Sequence, residues 1–101
     1  MWSQLPPPMQ EKFVRNAPTA LGELRDPDGW RIDLEALQQV SIPVQLTQGD
    51  QSPPIFAPVI ERLARLLPAA DRHTFTGAGH GPQATQPRDY VAVVTQFLQS
   101  T

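Results

Sequence analysis

Of the side chains that move protons near neutral pH, histidine is the best suited, and this chain has two, His73 and His80. His80 closes the run Gly77-Ala78-Gly79-His80 and is followed by Gly81-Pro82. Glycines let a backbone bend sharply, so an imidazole there stands on a tight, exposed loop, where it can act as a general base. His73 lies seven residues earlier in a strand-like stretch. It reads as a partly exposed strand histidine, because a metal site needs several ligands at close spacing and none accompany it. Asp50, directly after Gly49, fits a turn aspartate bonding to nearby backbone. A serine nucleophile held on a sharp strand-to-helix elbow sits in Gly-x-Ser-x-Gly. None of Ser3, Ser41, Ser52 and Ser100 has that context. Cysteine is absent, so thiolate chemistry and disulfides are excluded.

The elements that must position these residues begin at Ser41. Ile42 to Thr47 reads as a buried strand, with Pro43 tolerated near its start. Gly49 to Pro54 reads as a tight loop. Ser52 is placed to cap a helix, with Pro53 in its first turn. That helix runs to about Leu67, with Ile55, Phe56, Val59, Ile60, Leu63, Leu66 and Leu67 on one apolar stripe. Pro68 ends it. Asp71 to Thr76 reads as a second strand, then comes the glycine loop. Pro87 opens a last helix with Asp89 in its first turn, where a negative charge suits the dipole, and Tyr90, Val91, Val94, Phe97 and Leu98 on its buried face. Strand, helix, strand, helix is a βαβ unit with one more helix, the build of parallel sheets. Two strands alone are too few for such a sheet, so the segment is expected to be part of a larger one. Apolar surface left uncovered would then favour self-association.

Residues 1 to 39 carry less pattern. Met1 to Met9 holds Pro6-Pro7-Pro8 and reads as extended or polyproline II, a weak ligand motif for an aromatic groove. Glu11 to Ala20 reads as a short helix interrupted by Pro18. Asp26-Pro27-Asp28-Gly29 is a turn signal, and Asp33 to Gln39 a short helical candidate.

The run Ile42-Pro43-Val44 to Gly49, the helix ending in Leu67-Pro68, Gly77-Ala78-Gly79-His80, and Pro87 with Phe97-Leu98 together resemble the last third of α/β-hydrolases. The resemblance covers residue 40 to the end. Residues 1 to 39 more weakly resemble the exit from a lid region. The implied fold class is α/β, residues 40–101 being the C-terminal part of a doubly wound sheet behind an irregular or helical segment, 1–39. The resemblance implies that His80 takes the proton of a serine and returns it to the leaving group. Family members commonly place an aspartate three residues after a glycine such as Gly49. That position is Ser52 here, and a serine cannot stabilise an imidazolium by charge. Either Asp50 serves from a shifted place, or the acid lies after an earlier strand outside the chain. The implied activity is ester or related carbonyl hydrolysis through an acyl-enzyme. The chain is expected to be inactive alone, since it lacks the nucleophile; the alternative is a stand-alone module that dimerises or docks to complete its sheet.

Bulk properties narrow the partners. A length of 101 residues suits one small domain, and 40% hydrophobic with 18% charged residues reads as soluble and globular. With a net charge of −2 and no basic cluster, neither nucleic acid nor an anionic membrane is an expected partner. A small carbonyl or ester substrate is, once the missing half is present. No cofactor and no metal are expected. The proline-bearing first ten residues lack a signal-peptide pattern, so a cytoplasmic location is the expectation.

Overall fold

Pro7 and Pro8 do not extend the N-terminal segment; they start a helix. In the computed structural model, which describes residues 2–29 and 31–101, α1 spans Pro7–Arg25 with prolines in its first turn. The N–H groups there have no intrahelical partner, so prolines lose nothing by lacking theirs. Pro6, at φ −56° and ψ 144°, keeps the polyproline geometry and caps the helix. A short 3₁₀ turn, Trp2–Gln4, precedes it. The Gln10 amide donates to the Trp2 carbonyl at 2.9 Å, and the Trp2 and Phe13 rings lie 6.2 Å apart. Pro18 was expected to interrupt a shorter helix, but α1 continues through it. The bond lost is to the Val14 carbonyl, and Val14 is 64% exposed, so water can take that partner's place. The expected turn comes next: Asp26 Oδ1 accepts from the Asp28 N–H at 2.9 Å, and the Asp26 carbonyl accepts from Gly29.

The chain divides into two units, Met1–Ile32 and Asp33–Thr101. The second opens with α2, Leu34–Gln38, capped by Asp33 Oδ1 accepting from the Ala36 N–H at 2.9 Å, and α2 packs on α3. Strand β1 is Gln45–Gly49, α3 is Phe56–Leu66 and β2 is Asp71–Phe75. Strand β1 starts later than the apolar run at Ile42. Pro43 has no N–H for the ladder, Ile42 is 73% exposed, and pairing begins where Asp71 N–H donates to the Val44 carbonyl. The strands are parallel and in register, Gln45 opposite Asp71 through Gly49 opposite Phe75.

Alternation along the strands assigns the faces. Arg72 reaches Glu61 of α3 at 2.6 Å, so α3 lies on the Leu46/Arg72 side. Phe75 meets Tyr90 of α5, Pro87–Gln99, with centroids 5.6 Å apart, so α5 lies on the other. A short helix not expected from sequence, α4 (Pro82–Thr85), has Pro82 in its first turn. Phe75, Ala78 and Pro82 are the buried apolar side chains among those described. All three stand at or beyond the carboxyl end of β2, as Gly49 does for β1.

The fold class expected from the resemblance is corrected here. The described residues form one sheet of two short parallel strands, order β1-β2, in a mainly helical chain. This is a βαβ unit with flanking helices, not a doubly wound α/β-hydrolase sheet. The described residues before Ser41 supply no strand, since their prolines and helix formers build α1 and α2 instead. Among the described residues no helix is long and apolar enough to cross a membrane.

Candidate functional site

Two loops leave the carboxyl ends of β1 and β2 and are bound together there. The Asp50 N–H donates to the Phe75 carbonyl at 3.2 Å, and the Gln51 N–H to the Ala78 carbonyl at 2.8 Å. Asp50 Oδ1 accepts from the Gly77 N–H at 2.7 Å. The carbonyls of Ala78 and Gly79 lie against Gly49, where any Cβ would overlap them. Gly77 has φ 74°, the left-handed region that a side chain disfavours. The Gln86 amide holds the same turn from beyond, donating to the Thr76 carbonyl at 2.9 Å.

His80 stands on this platform, exposed to solvent. Its ring stacks on Phe56, the first residue of α3, with centroids 3.8 Å apart and planes 12° from parallel. Beneath lies a cavity of about 130 Å³ lined by His80, Phe56, Ser52, Thr47, Ile60 and Tyr90 among others. The expected helix cap at Ser52 does not form. Helix α3 begins at Phe56 without a side-chain cap, the Ser52 N–H turns back to the Gly49 carbonyl at 3.2 Å, and Ser52 lines the cavity instead.

The two sequence-derived site residues thus sit on adjoining loops. Asp50 directs a carboxylate oxygen at backbone, and the two ion pairs among the described residues, Arg31–Asp28 and Arg72–Glu61, leave His80 out. His73 is half-buried in β2, edge-on to Phe75 at 4.5 Å. Among the described residues no cluster of His, Cys, Asp and Glu is fit to hold a metal. Sequence reasoning missed Phe56 as the partner of His80 and Ser52 as a cavity residue. Phe56 was legible only as part of an apolar stripe.

Glu61 is the carboxyl whose proton affinity is clearly shifted among the described residues. The hydrogen bond and charge of Arg72 hold its pKa below the usual range. Compared with known proteins, the chain matches no family model, no curated protein and no solved structure.

Chemically, the arrangement offers a solvent-facing imidazole beside a small cavity whose lining mixes apolar side chains with the hydroxyl-bearing Thr47, Ser52 and Tyr90. It can accept a proton from a group brought to its open side. Among the described residues no serine has the positive φ of a strained elbow.

Proposed function

We propose that this chain is the histidine-bearing portion of a serine-type hydrolase acting on small ester or related carbonyl substrates. His80 is its general base, and the nucleophile and oxyanion donors come from polypeptide outside this sequence. The observation that carries the reading is the placing of His80: on a glycine loop at the carboxyl ends of parallel strands, where active sites of open α/β sheets gather, its ring set by Phe56. Resemblance to the α/β-hydrolase histidine loop supports it at the level of motif. The reading includes a cytoplasmic setting and no cofactor.

In this mechanism His80 accepts the proton as the serine attacks the carbonyl, then returns it to the leaving alcohol, and a water repeats the cycle on the acyl-enzyme. Without its partner the chain binds little and turns nothing over. A fluorophosphonate probe applied to the species that carries this chain in its native host tests the reading. Labelling is expected on an assembly or polypeptide heavier than 11.2 kDa, with a fall of on the order of 10³-fold or more in His80→Ala. Absence of labelling at every mass overturns it.

One observation favours a second reading, a non-catalytic module completed by a partner. The sheet of the described residues has two strands, so each leaves a row of unpaired backbone groups, an edge that invites pairing. Sedimentation velocity of the purified chain separates the two states: concentration-dependent dimers support self-completion, and a monomer at all concentrations removes it.

A further inference from the structure

We propose that Asp50 is a positioning residue for His80, acting as a hydrogen-bond acceptor that locks the histidine loop and not through its charge on the imidazole. The inference rests on the reading of His80 as the working base, but its test is made on the chain alone. Three observations carry it. The Asp50 carboxylate accepts from the N–H of Gly77 at 2.7 Å, and Gly77 is the residue whose φ of 74° turns the loop. The backbone of Asp50 and Gln51 is bonded to Phe75 and Ala78 on either side of that turn. The His80 ring, three residues on, is stacked on Phe56, whose helix starts just after the Asp50 loop. One short segment therefore determines both the bend that delivers the imidazole and the ring that receives it.

Acceptor and charge make opposite demands on one substitution. An asparagine at residue 50 keeps a side-chain carbonyl that can accept the Gly77 N–H, while it removes the charge. The ring protons of His80 report the geometry, because stacking on Phe56 shifts their NMR signals upfield; Phe56→Leu calibrates the size of that shift. The proposal predicts that Asp50→Asn retains most of the upfield shift and the slow exchange of the Gly77 amide, whereas Asp50→Ala loses both. It also predicts that Asp50→Asn leaves carbethoxylation of His80 in mildly acidic buffer nearly unchanged. A carboxylate stabilising the imidazolium by one pKa unit would give about tenfold acceleration when neutralised. Should Asp50→Ala fail to fold, the isosteric Asp50→Asn still decides. Loss of the His80 shift or of Gly77 protection in that variant, or a tenfold faster modification, overturns the proposal. Native-like His80 signals in a folded Asp50→Ala overturn it as well. A failed hydrolase reading would leave these measurements untouched.

Discussion

The two units of this chain both contain apolar residues at helical spacing, yet they use them differently. In the unit Met1–Ile32, helix α1 buries none of its residues; Phe13 is 55%, Val14 64% and Leu24 65% exposed. In the unit Asp33–Thr101, Phe75 and Ala78 are 2% and 1% exposed. The difference lies in what faces the helices. Most helix stability in proteins comes from packing an apolar face, not from propensity. Helices α3 and α5 have the two sides of a strand pair to cover; no residue of theirs is fully buried, but Phe56, Ile60, Leu63, Tyr90, Val94 and Phe97 are half-buried, while Ile55, Val91 and Leu98, expected on the same faces, stay exposed. In α1 every residue but Gln10 is exposed. The tightest packing of the second unit, at Gly49, Phe75, Ala78 and Pro82, lies directly under the loop that carries His80. Rigidity is thus concentrated where a base would need it.

Phe75→Ala tests that concentration most severely. It should cost about 3–5 kcal/mol, the usual loss for a buried phenylalanine. Chemical denaturation followed by the Tyr90 ring signals in NMR should show the second unit unfolding early or already unfolded. Gly49→Ala should rank next at on the order of 3 kcal/mol, within the tail reserved for backbone clashes, because the carbonyls of Ala78 and Gly79 occupy the space of its Cβ. Amide exchange should accelerate across residues 45–51 and 71–81 and stay unchanged in α1. A change spreading into α1 would break the contrast between the units.

Pro18→Ala acts in the opposite sense and place. Restoring the N–H that bonds to Val14 should favour α1 by up to about 3 kcal/mol, raising amide protection there and nowhere in the second unit. The smallest effect belongs to the Glu61–Arg72 pair. A carboxyl with a lowered folded pKa stabilises the fold above its ordinary pKa, and that contribution disappears as pH falls through the folded value. The pair is exposed to solvent, so acidification should weaken the α3–β2 contact only slightly. Glu61→Gln should flatten that acid limb of a stability-versus-pH curve.

The βαβα order of the second unit was legible because periodicity, proline punctuation and the Gly77–Gly81 cluster agree locally. The glycine at 49 and the histidine at 80 stood out for the same reason. What was not legible depended on distance or context. Pro18 looks like an interruption in any helix, and only its exposure lets α1 run through it. Pro7, Pro8 and Pro82 start helices because helix-forming residues come directly after them, although a proline run by itself suggests extended chain. The stack of Phe56 on His80 joins residues far apart in sequence, and no spacing rule encodes it. The expected doubly wound sheet failed because a familiar order of motifs was extended to strands that the described residues do not contain.

Hydrolysis of p-nitrophenyl acetate by the purified 101-residue chain, beside its His80→Ala and Ser52→Ala variants, tests most directly whether the base is here and the nucleophile is not. The account predicts a rate no greater than that of equimolar free imidazole, without saturation and without any change in Ser52→Ala. Saturable turnover abolished by either substitution would contradict it, placing a working nucleophile inside this sequence.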